Sequence, residues 1–311
     1  MNPERCCSFP LIGGGGEIVD FARTITGHGV TSLPPMVVDE GARSLTITLR
    51  LPGRSPRTVT IESPDSISAV VRCHGPAPDE AEKQSIAAAT RHVLRLDQDL
   101  TPFYSIALSD PQLTWVARGA GRMTRCQTVF EDIVKTILTT NCTWSATIRM
   151  TNALVQHLGE AAPGAEMDQW TNRAFPTPEA MANADEAFYR GVVKCGYRAG
   201  YLRTLAKSIV DGDVEVESLA FVGPAELPDD EMAKRLISLP GVGPYAAAHI
   251  MMMLGRYSKL ILDSWTRPTY ARKIGVETIS DAEIIGRFQG YGDYAGLAFW
   301  LTLTEDWLPL Q

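Results

Sequence analysis

The sequence predicts an α+β protein in which an N-terminal antiparallel β domain precedes a longer all-α region. Three observations predict this class. Apolar and polar residues alternate in segments of residues 17–73, helical periodicity dominates the later part of the chain, and a glycine hairpin separates two of the later helices. The 311 residues are 45% hydrophobic and 21% charged, which is enough material for two apolar cores.

The chain divides into three predicted segments. Residues 1–16 end in four consecutive glycines and are predicted to be a flexible tail. Residues 17–115 are predicted to form the antiparallel β domain, which also carries a helix, and residues 116–311 the all-α region. No Lys-Ser/Thr pair follows the glycine run, so a phosphate loop is not indicated there.

The strands of the β domain are indicated by alternation and by the turns between them. Residues 44–51 alternate between polar and apolar side chains, and residues 57–61 and 67–72 follow turns that contain Pro or Gly. Because the connections are short, we predict an antiparallel meander. A helix is predicted next, over residues 80–96.

Helical periodicity and capping residues define the all-α region. Thr143 can cap a long amphipathic helix that ends at Gly159. The predicted helices span residues 128–139, 143–158, 197–210, 229–237, 244–255, 264–273, 281–288 and 294–303.

Residues 239–249 form the predicted glycine hairpin. Gly241 and Gly243 can adopt positive φ or admit the close approach of another backbone, while Pro240 and Pro244 stiffen the turn. The first N–H groups of the following helix have no partner within it, and they point toward the hairpin. The hairpin therefore predicts an anion site, most naturally for a phosphate group.

A single carboxylate, Asp263, lies twenty residues after Gly243. The apolar residues 260–262 form a short buried run that brings it to the start of the helix at Ser264. The simplest alternative is that Asp263 only caps this helix. The two roles are compatible, since a helix N-terminus favours an ionised carboxylate.

The hairpin (residues 239–243) and Asp263 together resemble the helix–hairpin–helix Gly/Pro…Asp superfamily of base-excision DNA glycosylases, in particular its 8-oxoguanine and 3-methyladenine glycosylase II branches. The resemblance covers about residues 17–305, and these branches also carry an N-terminal antiparallel β domain. The all-α region is then expected to be the helix–hairpin–helix glycosylase core. Three further segments are similar to the same family: residues 130–141, 196–201 and 290–298.

The resemblance implies excision of a damaged purine, oxidised or alkylated, that is swung out of duplex DNA before its N-glycosidic bond is hydrolysed. Asp263 would stabilise the positive charge that develops on the sugar and accept a proton from the attacking water. The hairpin residues Gly241, Val242 and Gly243, together with Tyr245, would contact the DNA backbone.

Three residues are candidates for the gap that the extruded nucleotide leaves. Asn141 can donate to and accept from the widowed base, Arg198 can donate to a cytosine, and Tyr197 can insert into the base stack. Each of these residues could instead have a purely structural role. In that case Asn141 would cap a helix, Arg198 would form a surface ion pair, and Tyr197 would belong to the core.

Aromatic side chains are the candidates for the base pocket, because stacking on an unpaired base contributes about 1–3 kcal/mol. His249 follows Tyr245 by four residues and therefore shares its helix face. For each candidate the alternative is an ordinary core position. The predicted pocket residues are Trp144, His249, Trp265 and Phe299, with Trp300 and Tyr294 as further aromatic candidates.

The chain departs from the family pattern in ways that bear on its chemistry. Tyr245 occupies the position at which bifunctional members carry a lysine, so we expect base removal without strand cleavage. In the 8-oxoguanine branch, a Gln that reads the base occupies the position of Phe299, and an Arg occupies the position of Ala146. The identity of the substrate therefore stays open between an oxidised and an alkylated purine. Two alternatives stay open. One is a bifunctional lyase that uses Lys135, Lys194, Lys273 or the N-terminal amine, and the other is a non-catalytic lesion-binding protein.

The composition limits cofactors and partners. The six cysteines form no CxxC pair and indicate reduced thiols of an intracellular protein, although Cys6 and Cys7 could bind a metal. Since none follows Cys195, no iron–sulfur cluster is expected. No metal or other cofactor is expected either, except that the resemblance allows a monovalent cation on the hairpin carbonyls.

The net charge of −7 argues against a broad polyanion-binding surface, so double-stranded DNA would be bound through a few local contacts. No apolar stretch is long enough to span a bilayer and no export signal is seen. We therefore expect an intracellular monomer, in the cytoplasm and nucleoid or in the nucleus, without membrane contact.

Overall fold

A five-stranded antiparallel sheet forms the N-terminal part of the fold in the computed structural model, which describes residues 4–167 and 169–307. The three predicted strands are confirmed, and two further strands flank them. In the order β1-β5-β4-β3-β2, the strands are β1 (Glu4–Pro10), β2 (Met36–Asp39), β3 (Ser44–Leu49), β4 (Arg57–Glu62) and β5 (Ser68–Cys73).

Strand β1 corrects the prediction of a flexible tail. Residues 4–10 pair with β5 along its whole length, with a bulge between Arg5 and Cys7. Without β1, β5 would present a row of unpaired backbone N–H and C=O groups at the sheet edge. The pairing therefore orders a segment whose own composition carries only a weak strand signal.

The four-glycine run is ordered as well, for a steric reason. Gly14 donates its backbone N–H to the carbonyl of Gln98 over 3.0 Å, and a Cβ atom there would collide with the backbone carbonyl of Asp97. Gly15 donates to the carboxylate of Glu17 over 2.9 Å. The glycines thus permit a close approach of two loops rather than forming a linker.

A buried ion pair joins these two loops to the rest of the molecule. The side chains of Glu17 and Arg122 are 4% and 0% exposed, and they form a salt bridge. Glu17 also accepts from the backbone N–H of Leu100 over 2.9 Å, and Arg122 donates to the carbonyls of Arg95 and Gln98. Each charge is therefore both paired and hydrogen-bonded, as burial requires.

Twelve α-helices lie among the described residues. The predicted helix of the β domain and all eight predicted helices of the all-α region are confirmed. Their bounds are α1 (Phe21–Thr26), α2 (Glu80–Val93), α3 (Thr101–Ala107), α4 (Val129–Thr139), α5 (Trp144–Leu158), α6 (Pro178–Asn183), α7 (Arg198–Val210), α8 (Asp229–Ile237), α9 (Pro244–Met253), α10 (Thr266–Lys273), α11 (Asp281–Phe288) and α12 (Ala295–Thr304). None of the helices described is both long and apolar enough to cross a bilayer.

Two buried apolar clusters organise these elements. The first joins the sheet to α4, α5 and α7–α9, and the second joins residues 100–123 to the C-terminal helices α10–α12. Helix α9 contributes Ile250 and Met251 to the first cluster and Ala248 and Met252 to the second. The hairpin helix therefore lies between the two cores. The predicted boundary at residue 115 stays a prediction.

The buried ion pair generates a stability prediction. Glu17→Gln should lower the free energy of unfolding by about 3–5 kcal/mol, because the buried guanidinium of Arg122 would lose its counter-charge. Urea denaturation followed by far-UV circular dichroism measures this change.

The matched control is Glu62→Gln, which removes a salt bridge to Arg72 whose side chains are 37% and 40% exposed. It should cost less than about 1 kcal/mol, because solvent screens such pairs. Equal losses in the two variants would show that the buried pair does not hold the loops together.

Candidate active site

A large cleft of about 1530 Å³ opens beside the glycine hairpin. Its walls come from the N-terminal loop of residues 25–33, from α4, from the hairpin and from the chain around Asp263. Ten of the twelve predicted site residues line it: Asn141, Trp144, Tyr197, Gly241, Val242, Gly243, Tyr245, His249, Asp263 and Trp265.

The hairpin conformation explains its glycines. Gly241 has φ +81°, and a Cβ atom there would lie 2.9 Å from the side chain of Tyr201 in α7, so both backbone strain and crowding require glycine. Gly243 is the N-cap of α9, and a Cβ there would meet open space. The backbone at Gly243 is therefore accessible to a ligand in the cleft.

A polar anchor holds the two hairpin helices in their relative position. Arg256 follows α9 and forms a salt bridge with Asp229 at the start of α8. It also donates to the carbonyls of Val222 and Leu227, over 3.2 and 2.6 Å. These bonds fix the end of α9 to the start of α8, and the hairpin between them is held accordingly.

Only one oxygen of the Asp263 carboxylate is hydrogen-bonded to described residues. Its Oδ1 accepts from the backbone N–H groups of Trp265 and Thr266, over 2.8 and 2.6 Å, and its own N–H donates to the hydroxyl of Thr266 over 2.8 Å. Among the described residues Oδ2 accepts no hydrogen bond. Asp263 thus fixes the backbone that enters α10, whose N-cap residue is Trp265 rather than Asp263, and still has an oxygen available to the cleft.

Tyr245 lies in the first turn of α9 and contacts the end of α4. Its hydroxyl hydrogen-bonds to the side chain of Thr139. Burial raises the pKa of the Tyr245 phenol, and the nearby charge of Asp263 raises it further. The side chain is therefore a neutral hydroxyl at physiological pH and supplies no amine to the cleft.

Aromatic rings form one wall of the cleft. The ring centroids of Trp265 and Trp300 are 5.7 Å apart, and Trp307 lies 5.9 Å from each. The indole N–H of Trp300 donates to the carbonyl of Gly27 over 2.8 Å, which orients the ring. Trp144 also lines the cleft, where it lies against Gly29 and is 43% exposed.

Phe299 does not line the cleft, and its prediction as a base-pocket residue is wrong. It is fully buried in the second core, where its ring packs against Tyr270 and Phe288 at 5.6 and 5.1 Å. Its neighbour Trp300 faces the cleft instead, since successive residues point about 100° apart on a helix. Tyr294 also belongs to the core, where it stacks on Phe103 at 5.2 Å.

A pair of histidines forms the inner end of the cleft. His28 Nε2 lies 3.3 Å from His249 Nδ1, although 221 residues separate them in the chain. The ring of His249 packs edge-on against Tyr245 at 4.7 Å, and both histidines lie near Trp300. His28 was missed because no local pattern distinguishes it.

Asn141 and Tyr197 are exposed at the rim. Asn141 has φ +48°, a conformation that Asn tolerates better than most residues, and its amide donates to the Tyr197 hydroxyl over 3.2 Å. The cap of α5 is Thr143. Tyr197 is 52% exposed. The structural alternatives for these two residues, helix cap and core position, are therefore wrong.

Arg198 does not face the cleft, so the prediction that it contacts DNA is wrong. It is 5% exposed, and its guanidinium donates to the backbone carbonyls of Thr140 and Cys195. It also stacks 4.6 Å from the ring of Tyr197. The guanidinium N–H groups of Arg198 thus bond to the turn that carries Asn141. Arg198 therefore positions Asn141 at the rim of the cleft and does not form a surface ion pair.

The lysines named as alternative nucleophiles differ in position. Lys135 lines the cleft but is buried in a salt bridge to Glu131 over 2.7 Å. Burial alone would lower the pKa of its ammonium group, but the neighbouring Cys126 and Glu131 raise it above the usual value. Lys273 is paired with Glu305, and Lys194 lies outside the cleft. The N-terminal amine lies outside the described residues.

Comparison with known proteins relates this site to a family. Residues 134–287 match the family described as the HhH-GPD superfamily of base excision DNA repair proteins. DNA-3-methyladenine glycosylase from Bacillus subtilis (strain 168) is 22% identical over 181 residues, which are 58% of this chain and 57% of that protein. The match thus spans a little over half the length of this curated relative.

Solved structures share the whole fold. A 3-methyladenine DNA-glycosylase from Archaeoglobus fulgidus is 21% identical with a TM-score of 0.70, over 96% of this chain and 98% of that chain. The apo-form 8-oxoguanine glycosylase/lyase from Clostridium acetobutylicum is 18% identical with a TM-score of 0.66, over 89% of this chain and 93% of that chain. The predicted fold class is therefore confirmed.

The buried side chain of His28 predicts a pH dependence of stability. Burial lowers the pKa of His28 to about 4 from 6.5, so the unfolded chain binds more protons than the native protein in this range. Stability is complete above pH 6.5 and falls as the pH decreases toward 4. Between pH 7 and 5, wild type should lose about 2 kcal/mol more unfolding free energy than His28→Gln.

Guanidinium denaturation at several pH values measures this difference. The carboxamide of the variant keeps a hydrogen-bond donor but does not titrate. Parallel stability curves for wild type and His28→Gln would mean that His28 is not buried in its neutral form.

Proposed function

Because residues 134–287 belong to the HhH-GPD superfamily of base excision DNA repair proteins, we propose that this protein is a DNA glycosylase that hydrolyses the N-glycosidic bond of a damaged purine in duplex DNA. One observation carries the proposal. Asp263 lies beside the hairpin with Oδ1 held by two backbone amides and Oδ2 available to the cleft. That arrangement suits a carboxylate whose free oxygen acts on a reacting sugar.

The DNA backbone would bind at the hairpin. The N–H groups at the start of α9 are unpaired within the helix, and the open space at Gly243 admits a phosphodiester. Tyr197 and Asn141 at the rim would fill the gap left by the extruded nucleotide, with Arg198 holding their turn in place. These contacts offset the few kcal/mol that unstacking a base requires.

Asp263 would act on the charge that develops as the bond breaks. The sugar becomes positively charged in the transition state, as in glycoside hydrolysis. At about 4 Å and an effective dielectric of about 20, a carboxylate stabilises that charge by about 4 kcal/mol. Such a gain corresponds to roughly a thousandfold in rate. Oδ2 can also accept the proton of the attacking water.

The lining of the cleft favours an alkylated purine as the substrate. Aromatic rings such as those of Trp265, Trp300 and Tyr245 attract an electron-poor or cationic base. Among the described residues of the lining, Lys135 is the one cationic side chain, and it is neutralised by Glu131. The curated relative named above is a DNA-3-methyladenine glycosylase. An oxidised purine opposite cytosine is the second candidate, supported by the exposed Asn141 at the rim.

We propose that the reaction stops at base removal. A lyase needs an unprotonated amine beside the sugar carbon, and the hairpin helix presents the hydroxyl of Tyr245 there instead. Lys135 is protonated, and its ammonium group faces Glu131. A non-catalytic lesion-binding protein is disfavoured, because such a protein has no use for the free oxygen of Asp263.

The catalytic role of Asp263 generates the first prediction of this section. Asp263→Asn should reduce single-turnover excision of methylated purines by about a thousandfold or more, because the variant lacks the charge that stabilises the sugar cation. The amide oxygen can still accept from Trp265 and Thr266, so the fold and DNA binding should persist. Release of free base from methylated duplex DNA measures the rate.

The control is Asp281→Asn, which removes an exposed carboxylate paired with Arg267 outside the cleft. It should excise at the wild-type rate. If Asp263→Asn stays within a few-fold of wild type, the catalytic assignment is wrong.

Monofunctional hydrolysis predicts the products. Incubation with damaged duplex and borohydride should trap no covalent protein–DNA adduct, and the strand should break only after hot alkali. The reason is that the one amine that the described residues bring to the cleft, that of Lys135, is paired with Glu131. A trapped adduct with wild type would contradict monofunctional action. Its disappearance in Lys135→Met would then identify the amine.

A monovalent cation on the hairpin carbonyls, the monomeric state and the location within the cell stay predictions.

A further inference from the structure

We propose that the ring Nε2–H of His249 is the hydrogen-bond donor that recognises the extruded base, and that His28 holds His249 in this role. The inference rests on the proposed glycosylase function and adds to it the chemistry by which the base is read.

The hydrogen bonds assign the tautomer of each ring in turn. The backbone N–H of Val30 donates to His28 Nδ1 over 3.3 Å, so this nitrogen carries no proton. In a neutral ring the proton then lies on Nε2. His28 Nε2 is 3.3 Å from His249 Nδ1 and therefore donates to it. His249 Nδ1 is thus an acceptor, and its proton lies on Nε2.

Both rings are neutral at physiological pH. Burial lowers the pKa of His28 to about 4 and that of His249 well below 6.5. Lys135, which shares the lining of the cleft with the pair, has its ammonium group paired with Glu131. The other ionisable side chains of the described lining are Glu40, Cys142, Tyr197, Tyr201, Tyr245 and Asp263. The protonated state would be opposed by the other imidazole and by the loss of water.

The assigned donor of His249 has no partner. Its Nε2 atom is buried, and among the described residues nothing accepts from it. The neighbouring surfaces are the rings of Tyr245 and Trp300, at centroid distances of 4.7 and 6.0 Å. A buried donor without an acceptor is costly, and such groups in proteins are usually satisfied by a bound ligand or water.

A ligand that satisfies this donor must present an acceptor. On a purine the acceptors are a carbonyl oxygen or an unprotonated ring nitrogen, so the edge turned toward His249 carries one of these. A neutral donor does not repel a cationic alkylated purine, whereas an imidazolium would. An edge that carries an N–H group would place two donors against each other and would be rejected.

The test compares two substitutions of His249. His249→Leu removes the donor, and single-turnover excision from methylated duplex DNA should fall by about 10–100-fold, the range expected when a buried acceptor of the base is left unpaired. His249→Gln keeps an N–H donor and should stay within about fivefold of wild type.

The matched control is His92→Leu. His92 is also a partly buried histidine with a pKa lowered to about 4 by burial, but it lies outside the cleft. This variant should excise at the wild-type rate. A similar loss of activity in His92→Leu and His249→Leu would indicate a general effect of removing a buried histidine, and would overturn the proposal.

A second measurement separates base reading from a structural role. Duplex DNA with a tetrahydrofuran abasic site has no base to read, so wild type and His249→Leu should bind it with equal affinity. Weaker binding by the variant would show that the ring only supports the cleft. Nitrogen-15 spectra of histidine-labelled protein should find His28 and His249 protonated on Nε2 alone, and the other tautomer would refute the hydrogen-bond chain.

The outcomes distinguish failure of the proposed glycosylase function from failure of the proposed role of His249. If wild type releases neither methylated nor oxidised purines, the proposed function fails and this inference fails with it. If wild type and His249→Leu release the base at equal rates, the function stands and the inference alone is overturned.

Discussion

The position of α9 between two apolar clusters is the constraint on which the cleft depends. Ile250 and Met251 pack into the core that includes the sheet, while Ala248 and Met252 pack into the core of the C-terminal helices. Rotation or sliding of the helix would open cavities in both cores at once, and each such loss is costly. The hairpin at its start and the side chains on its cleft face are therefore held without any support from a ligand.

The same rigidity fixes the position of the carboxylate charge in the site. Asp263 follows the loop after α9, and the first amides of α10 hold one of its carboxylate oxygens, so its charge is oriented before a substrate arrives. A preorganised charge of this kind needs no reorganisation during the reaction. The protein carries a net charge of −7, so DNA would be held by backbone donors at the hairpin rather than by a basic surface.

Interactions between residues close in sequence made the hairpin and most of the helices predictable. The hairpin glycines, the prolines beside them and Asp263 act through backbone conformation and capping, which depend on neighbours in sequence. The helices of the all-α region have periodic apolar faces and clear caps, and they were predicted closely. The four glycines before Glu17 show the limit of such reasoning, because a run that permits flexibility also permits a close approach between loops.

The sequence by itself thus determined the fold class, the hairpin and the lone carboxylate that follows it. Only the tertiary structure decided which side chains meet at the inner end of the cleft. Helix α12 is apolar on every face, so periodicity could not choose Trp300 over Phe299. His28 reaches His249 across 221 residues, and the buried carbonyls around Arg198 exist only once α4 and α7 have packed. Contacts between segments that are distant in sequence produce no periodic pattern of apolar residues from which they could be predicted.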